Sequence, residues 1–176
     1  AVAGLIIILA LCLMALFAPV IAPGAPSARV GRSHQPPTVE HVFGTTKMGR
    51  DVYTQFVWGS RTSLAVGFAT GIAITIIGTA VGLVSGYTGG RTDAALDLAT
   101  NAVLVIPNIP LLILLASFAG TVGPLAIMAI IALTSWPWGA RMTRSQTMAL
   151  RNRDFVTAAR MIGEPAWRVL FVELLP

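Results

Sequence analysis

Three stretches of this chain carry no charged side chain: Ala1–Ala28, Thr62–Gly90 and Leu98–Ala140, which are 28, 29 and 43 residues long. About 20 mostly apolar residues are enough to cross the hydrocarbon core of a bilayer. A soluble domain averages about 25% charged residues, whereas only 11% are charged here and 55% are hydrophobic. The runs exclude a disordered chain and a soluble globular domain. The one cysteine, Cys12, lies inside the first run and excludes a disulfide scaffold. An all-α, polytopic helical membrane protein is expected.

The charges that remain are mostly basic. Six arginines lie between Arg141 and Arg168 directly after the longest apolar run, and the net charge is +5. A nucleic-acid surface would interleave such charge with aromatic residues, and few occur here. The cluster fits a cytoplasmic loop under the positive-inside rule, and no nucleic-acid partner is expected. Residues 24–61 hold five basic residues and residues 141–176 hold six. On charge, the second stretch is the cytoplasmic one.

Four spans follow from the runs, at about 1–22, 62–87, 94–119 and 125–139. The first is longer than the apolar core of a signal peptide. Pro19, Pro23 and Pro26 close it, and a polar connection follows over 24–61. Asp51 offers an N-cap for a short helix to Trp58 along the membrane surface. In the second span Gly67, Gly71, Thr75, Gly78, Gly82 and Gly86 share one face. Small residues at that spacing let helices approach closely in lipid, which makes Gly71, Gly78, Gly82 and Gly86 packing candidates. Tyr87–Asp93 reads as a tight polar turn. The stretch after it is too long for one span and divides at Gly120–Pro124. Pro107 and Pro110 fall inside the third span and predict a kink. Trp136 and Trp138 close the fourth, as interfacial aromatics do. Beyond Arg141 the chain turns polar. A helix over Asp154–Ile162 ends at Gly163, and Pro165 restarts a second one.

Motifs for chemistry are missing. The only lysine, Lys47, has no glycine-rich phosphate loop before it. No nucleophile–base pairing is recognisable, and His34 and His41 have no cysteine near them. No catalytic residue, metal or cofactor is expected in this chain. Asp97 is the clearest charge within a span, and intramembrane carboxylates tend to face a bundle interior or cavity. Asp97, Asn101 and Asn108 are the pore-lining candidates.

Several segments together resemble one family. Phe43–Val52, with Gly44-Thr45-Thr46 and Gly49-Arg50-Asp51, and Gly59-Ser60-Arg61-Thr62-Ser63-Leu64 are similar to stretches of dipeptide/oligopeptide-type ABC importer permeases. So are Gly86-Tyr87-Thr88-Gly89-Gly90 with Asp93, and Trp136-Pro137 with Ala140-Arg141. Thr157-Ala158-Ala159, Gly163 and Leu175-Pro176 resemble the Glu-Ala-Ala…Gly…Leu-Pro signature of ABC importer permeases. The chain departs from the pattern at Thr157 (usually Glu), Glu173 (often His), Leu98 (an Arg) and Asn101 (an Asp).

The resemblance implies a type I importer permease bundle with a cytoplasmic coupling-helix loop over 141–176 and an extracytoplasmic loop over 24–61. It implies half of a translocation path in a prokaryotic inner membrane. A second permease subunit (a heterodimer), two ATP-binding subunits and an extracytoplasmic solute-binding protein would be the partners. Thr157, Ala158, Ala159, Arg160, Gly163 and Arg168 would dock on the ATPase. Di- or oligopeptides are the expected substrates, with nickel chelates or other small solutes as the alternative. A secondary transporter or channel and a membrane-embedded enzyme are the readings from other classes. The family normally continues for two more spans, so the chain is expected to be a fragment.

Overall fold

The computed structural model describes residues 2–118 and 123–174, with helices and no strand among them. The turn expected at residues 120–122 and the Leu175-Pro176 end of the signature lie outside the described residues. Two compact units divide the chain after Phe68.

In the first unit α1 (Val2–Leu16) is followed by α2 (Ala18–Ile21). Pro19 sits in the first turn of α2, where its missing N–H costs nothing. A polar loop leads to α3 (Val52–Thr88), whose first residues belong to this unit. Ala18, Ala22 and Val57 are buried together, with Met14, Tyr53 and Trp58 packed against them. The indole N–H of Trp58 donates to the Ala22 carbonyl at 2.9 Å, which ties the end of α2 to α3.

The loop is held by its own hydrogen bonds. The hydroxyl of Thr45 accepts the Gln35 N–H at 2.9 Å and donates to the Arg32 carbonyl. Asp51 Oδ2 accepts both the N–H and the hydroxyl of Thr54 at 2.7 Å, so it caps α3 as expected. Its other oxygen meets His41 Nδ1 at 3.2 Å. The helix does not stop at Trp58, however. Gly59 and Ser60 are tolerated, with the Ser60 hydroxyl donating back to Val57 at 2.7 Å, and no proline interrupts the turn. The separate surface helix expected there is instead the start of α3. Its 37 residues span about 55 Å, well beyond the hydrocarbon thickness of about 30 Å.

In the second unit α4 (Gly90–Val105), α5 (Asn108–Phe118) and α6 (Pro124–Leu150) follow α3, and both α4 and α5 pack on α6. The turn between α3 and α4 is Gly89 alone, so Asp93 already lies in the first turn of α4. The proline pair does more than kink the third span. It splits the span at Ile106–Pro107 into α4 and α5. The fourth span, expected to end at 139, runs on as one helix through Pro137 to Leu150. Arg141 and Arg144 do not end it because partners on α4 receive both. Then come α7 (Asp154–Met161), α8 (Ala166–Arg168) and a π-helical turn over Val169–Leu174. Among the described residues, α3 and α6 are the helices long and apolar enough to cross a membrane.

Burial pushes the Asp51 carboxyl up, but the hydrogen bonds from Thr54 and His41 outweigh it and hold the group below its ordinary range. A depressed carboxyl contributes stability above its unfolded pKa of about 3.9 and loses it as pH falls through the lower folded value. Asp51→Ala is expected to cost about 1 kcal/mol of local stability. Amide exchange at Thr54, corrected for intrinsic rates, should lose protection below that pH in the wild type and at neutral pH in the variant.

Candidate functional site

The small-residue face of α3 meets α6 along its second half. A methyl group built on Gly82 would come within 2.6 Å of the Ala140 carbonyl and the Thr143 Cβ. Gly86 would collide with the Arg144 carbonyl and Thr147 Cβ, both at 2.7 Å, and Gly78 would press on the Trp136 carbonyl at 3.0 Å. These are main-chain carbonyls of a helix and Cβ atoms fixed directly to it, which cannot swing aside. Gly67 and Gly71 meet nothing within 4 Å, so the contact with α6 does not extend to Gly71. Pro137 is fully buried in the same unit.

Close approach brings Arg141 and Arg144 of one α6 face, and Arg151 just past its end, onto α3 and α4. Arg144 Nε and Nη2 donate to the two oxygens of Asp93 at 2.6 and 2.8 Å, a bidentate pair. The Ser85 hydroxyl on α3 donates to the same carboxylate. One turn further along α4, Asp97 lies 3.8 Å from Arg144 Nη1. The amide of Asn101 donates to Asp97 at 2.9 Å, and its oxygen accepts from Arg141. At the other end, Arg151 Nη1 donates to the Gly86 carbonyl at 3.1 Å. Asp97 and Asn101, expected as pore-lining candidates, thus turn to α6. The side chain of Asn108 lies outside the described residues. Ser85, Arg144 and Arg151 are absent from the sequence expectations, and Asp93 enters them only as part of a turn. Asp93 and Arg144 stand 51 residues apart, and no local motif links them.

The segment after α6 folds back on the end of α3. Val156 and Ala159 of α7 are buried with Leu83, Val169 and Leu174, and Tyr87, Leu150 and Leu170 cover them. Ala159 faces this core, although the sequence places it among the docking residues. Thr157, Ala158 and Arg160 are exposed. The Arg160 guanidinium lies over the Tyr87 ring, 4.6 Å from its centroid. Two hydrogen bonds end α7. The Glu164 N–H reaches the Ala159 carbonyl and the Gly163 N–H reaches the Arg160 carbonyl, both at 3.1 Å. That is a Schellman cap, and Gly163 supplies its left-handed residue with φ +82°. Arg168 on α8 lies 3.5 Å from Glu164, one turn back. Together the cap and the ion pair set the angle between α7 and α8.

Residues 78–176 match the family model for the inner membrane component of binding-protein-dependent transport systems. The chain belongs to that family. Residues 1–37 also match the N-terminal transmembrane domain of oligopeptide transport permease C. The dipeptide transport system permease DppC of Alkalihalophilus pseudofirmus is 36% identical over all of this chain and 58% of its own length. DppC of Escherichia coli is 40% identical over 100% of the chain and 61% of that protein. The oligopeptide permease OppC of Bacillus subtilis is 32% identical, again over 100% of the chain and 58% of its own length. The chain therefore spans about three fifths of these relatives. As a member of this permease family it is a helical membrane protein, and the resemblance to peptide permeases holds.

Gly82→Leu is expected to push α3 off α6 and to lower the yield of folded protein sharply. Gly67→Leu, with open space around its Cβ, should leave yield and thermal midpoint at the wild-type values. Size-exclusion profiles of the two purified variants check this.

Proposed function

We propose that the chain is part of the transmembrane subunit of an ATP-driven importer of di- or oligopeptides in a prokaryotic inner membrane, and that α7 and α8 couple it to separate ATPase subunits. The observation that carries this reading is the two-sidedness of α7. One side, Val156 and Ala159, is fixed to the permease core. The opposite side presents Phe155, Ala158, Met161 and Ile162 outward, with Met161 82% and Ile162 77% exposed. A short helix fixed on one side with large apolar side chains bare on the other suits docking in a groove of a partner. Its position after the arginine-bearing end of α6 suits the cytoplasmic side.

The names of the relatives favour peptides over nickel chelates or other small solutes. A second permease chain would complete the path, and a solute-binding protein would deliver cargo to the side of residues 24–61. Thr157, Arg160 and Arg168 would contribute polar contacts around the apolar patch, with Arg160 already oriented by Tyr87. Gly163 would hold α7 and α8 at a fixed angle, so that the pair moves as one body with the ATPase.

Met161→Asp combined with Ile162→Asp changes only exposed positions. Membrane yield and thermal midpoint of the full-length protein should stay unchanged, while ATPase co-purification and peptide uptake in proteoliposomes are lost. Wild-type co-purification of the ATPase with that double variant rules out α7 as the docking element.

A further inference from the structure

Helix α4 stops within apolar sequence because Pro107 has no N–H and keeps Ile106 extended, at φ −72° and ψ 121°. The Ile106 N–H turns back to the Val103 carbonyl at 3.1 Å. Among the described residues, no N–H reaches the carbonyl oxygen of Leu104 or Val105. Irregular backbone at membrane depth persists only where protein or a polar cavity answers it. A cavity of about 430 Å³ does lie at this break, with Leu104, Ile106, Pro107, Thr134 and Trp138 on its walls. That volume falls in the range of about 300–1,000 Å³ typical of sites for small ligands.

The cavity offers acceptors and an aromatic face. The Thr134 hydroxyl is spent on the Ile130 carbonyl at 2.9 Å. The end of α4 carries the partial negative charge of a helix C-terminus. Trp138 presents an indole ring that is 68% exposed, and such a face attracts a cation. Among the described residues no carboxylate lines the cavity, so a cation would be held weakly, as a passage point requires. Discontinuous helices build substrate sites in other transporters by the same use of free helix ends.

We propose that the α4–α5 break is a transit subsite for the α-ammonium group of a short peptide, which donates to the Leu104 carbonyl oxygen beside the Trp138 ring. The inference rests on the transport reading above and adds where the cargo is recognised. The ammonium group is common to all free peptides, so the subsite favours a free N-terminus over an acetylated one and tolerates any side chain.

The test uses the full-length protein assembled with its partners in nanodiscs, with Cys12→Ser and Ile109→Cys, which places the thiol on the cavity wall and leaves Trp138 in place. Reaction with a cationic methanethiosulfonate should outpace reaction with an anionic one by about tenfold after correction for intrinsic reactivity. Dialanine should slow the cationic reagent severalfold, and N-acetyl-dialanine should not. Pro107→Ala, which lets the helix close, should remove both the charge preference and the protection while the complex still assembles. If Ile109→Cys does not assemble, Ile106→Cys on the same cavity serves as the reporter. Equal corrected rates, equal protection by both peptides, or labelling only by lipid-soluble maleimides would overturn the subsite, the last result pointing to an acyl chain. With ATPase co-purification and dialanine uptake intact, such a result sinks this inference alone. Loss of ATPase association in the parent protein would instead sink the transport reading.

Discussion

Arg144 reaches from α6 to the first turn of α4 and closes two hydrogen bonds on Asp93. Asp93 is largely buried and Arg144 half-buried, and a charge left without a partner there is costly. The pair therefore fixes where α4 can lie on α6. Ser85 brings α3 to the same carboxylate, so one ion pair sets the register of three helices. Arg141 on Asn101 and Arg151 on the Gly86 carbonyl extend the constraint in both directions along α6. A helix carrying Arg141 and Arg144 within its length can run on to Leu150 because each of the two is received by a partner.

The glycines make that reach possible. With Gly78, Gly82 and Gly86 the α3 backbone approaches the α6 main chain so closely that no Cβ fits between them. In lipid, where hydrophobic burial does not drive helices together, such contact and interhelical hydrogen bonds supply the association. The same end of α3 then serves a second purpose. Leu83 and Tyr87 hold Val156, Ala159, Val169 and Leu174, which seat the segment after α6. In the proposed mechanism, a pull on the exposed face of α7 passes through this small core into α3 and through the ion pair into α4.

Much of this was legible in the sequence, and the failures have physical causes. The apolar runs announced helices because length and lack of charge decide membrane insertion locally. The glycine stripe could be read because helical periodicity is local, and so could the Gly163 stop. The Asp51 cap was equally visible. The end of α6 was not legible because nothing in a charge pattern tells whether a partner waits for Arg141 or Arg144 on another helix, and the start of α3 was not because Gly59 and Ser60 read as a break yet sit within the helix. The Asp93–Arg144 pair was invisible for the same reason: its 51-residue separation leaves no motif. The resemblance puts Ala159 among the docking residues, and only packing reveals which side of a short helix faces its own core.

The most direct test of this account is a double-mutant cycle on Asp93 and Arg144 in the full-length protein, read as unfolding free energy in bilayer mimetics. Asp93→Ala and Arg144→Ala should each cost about 2–3 kcal/mol, since each breaks the bidentate pair and leaves Arg144 only Asp97, or Asp93 only Ser85, as a partner. The double variant should cost no more than either alone, which gives a coupling energy near the upper end of the range of about 0.5–3 kcal/mol for contacting residues. Additive losses, with no coupling between the two positions, would contradict the claim that this pair sets the register of α3, α4 and α6.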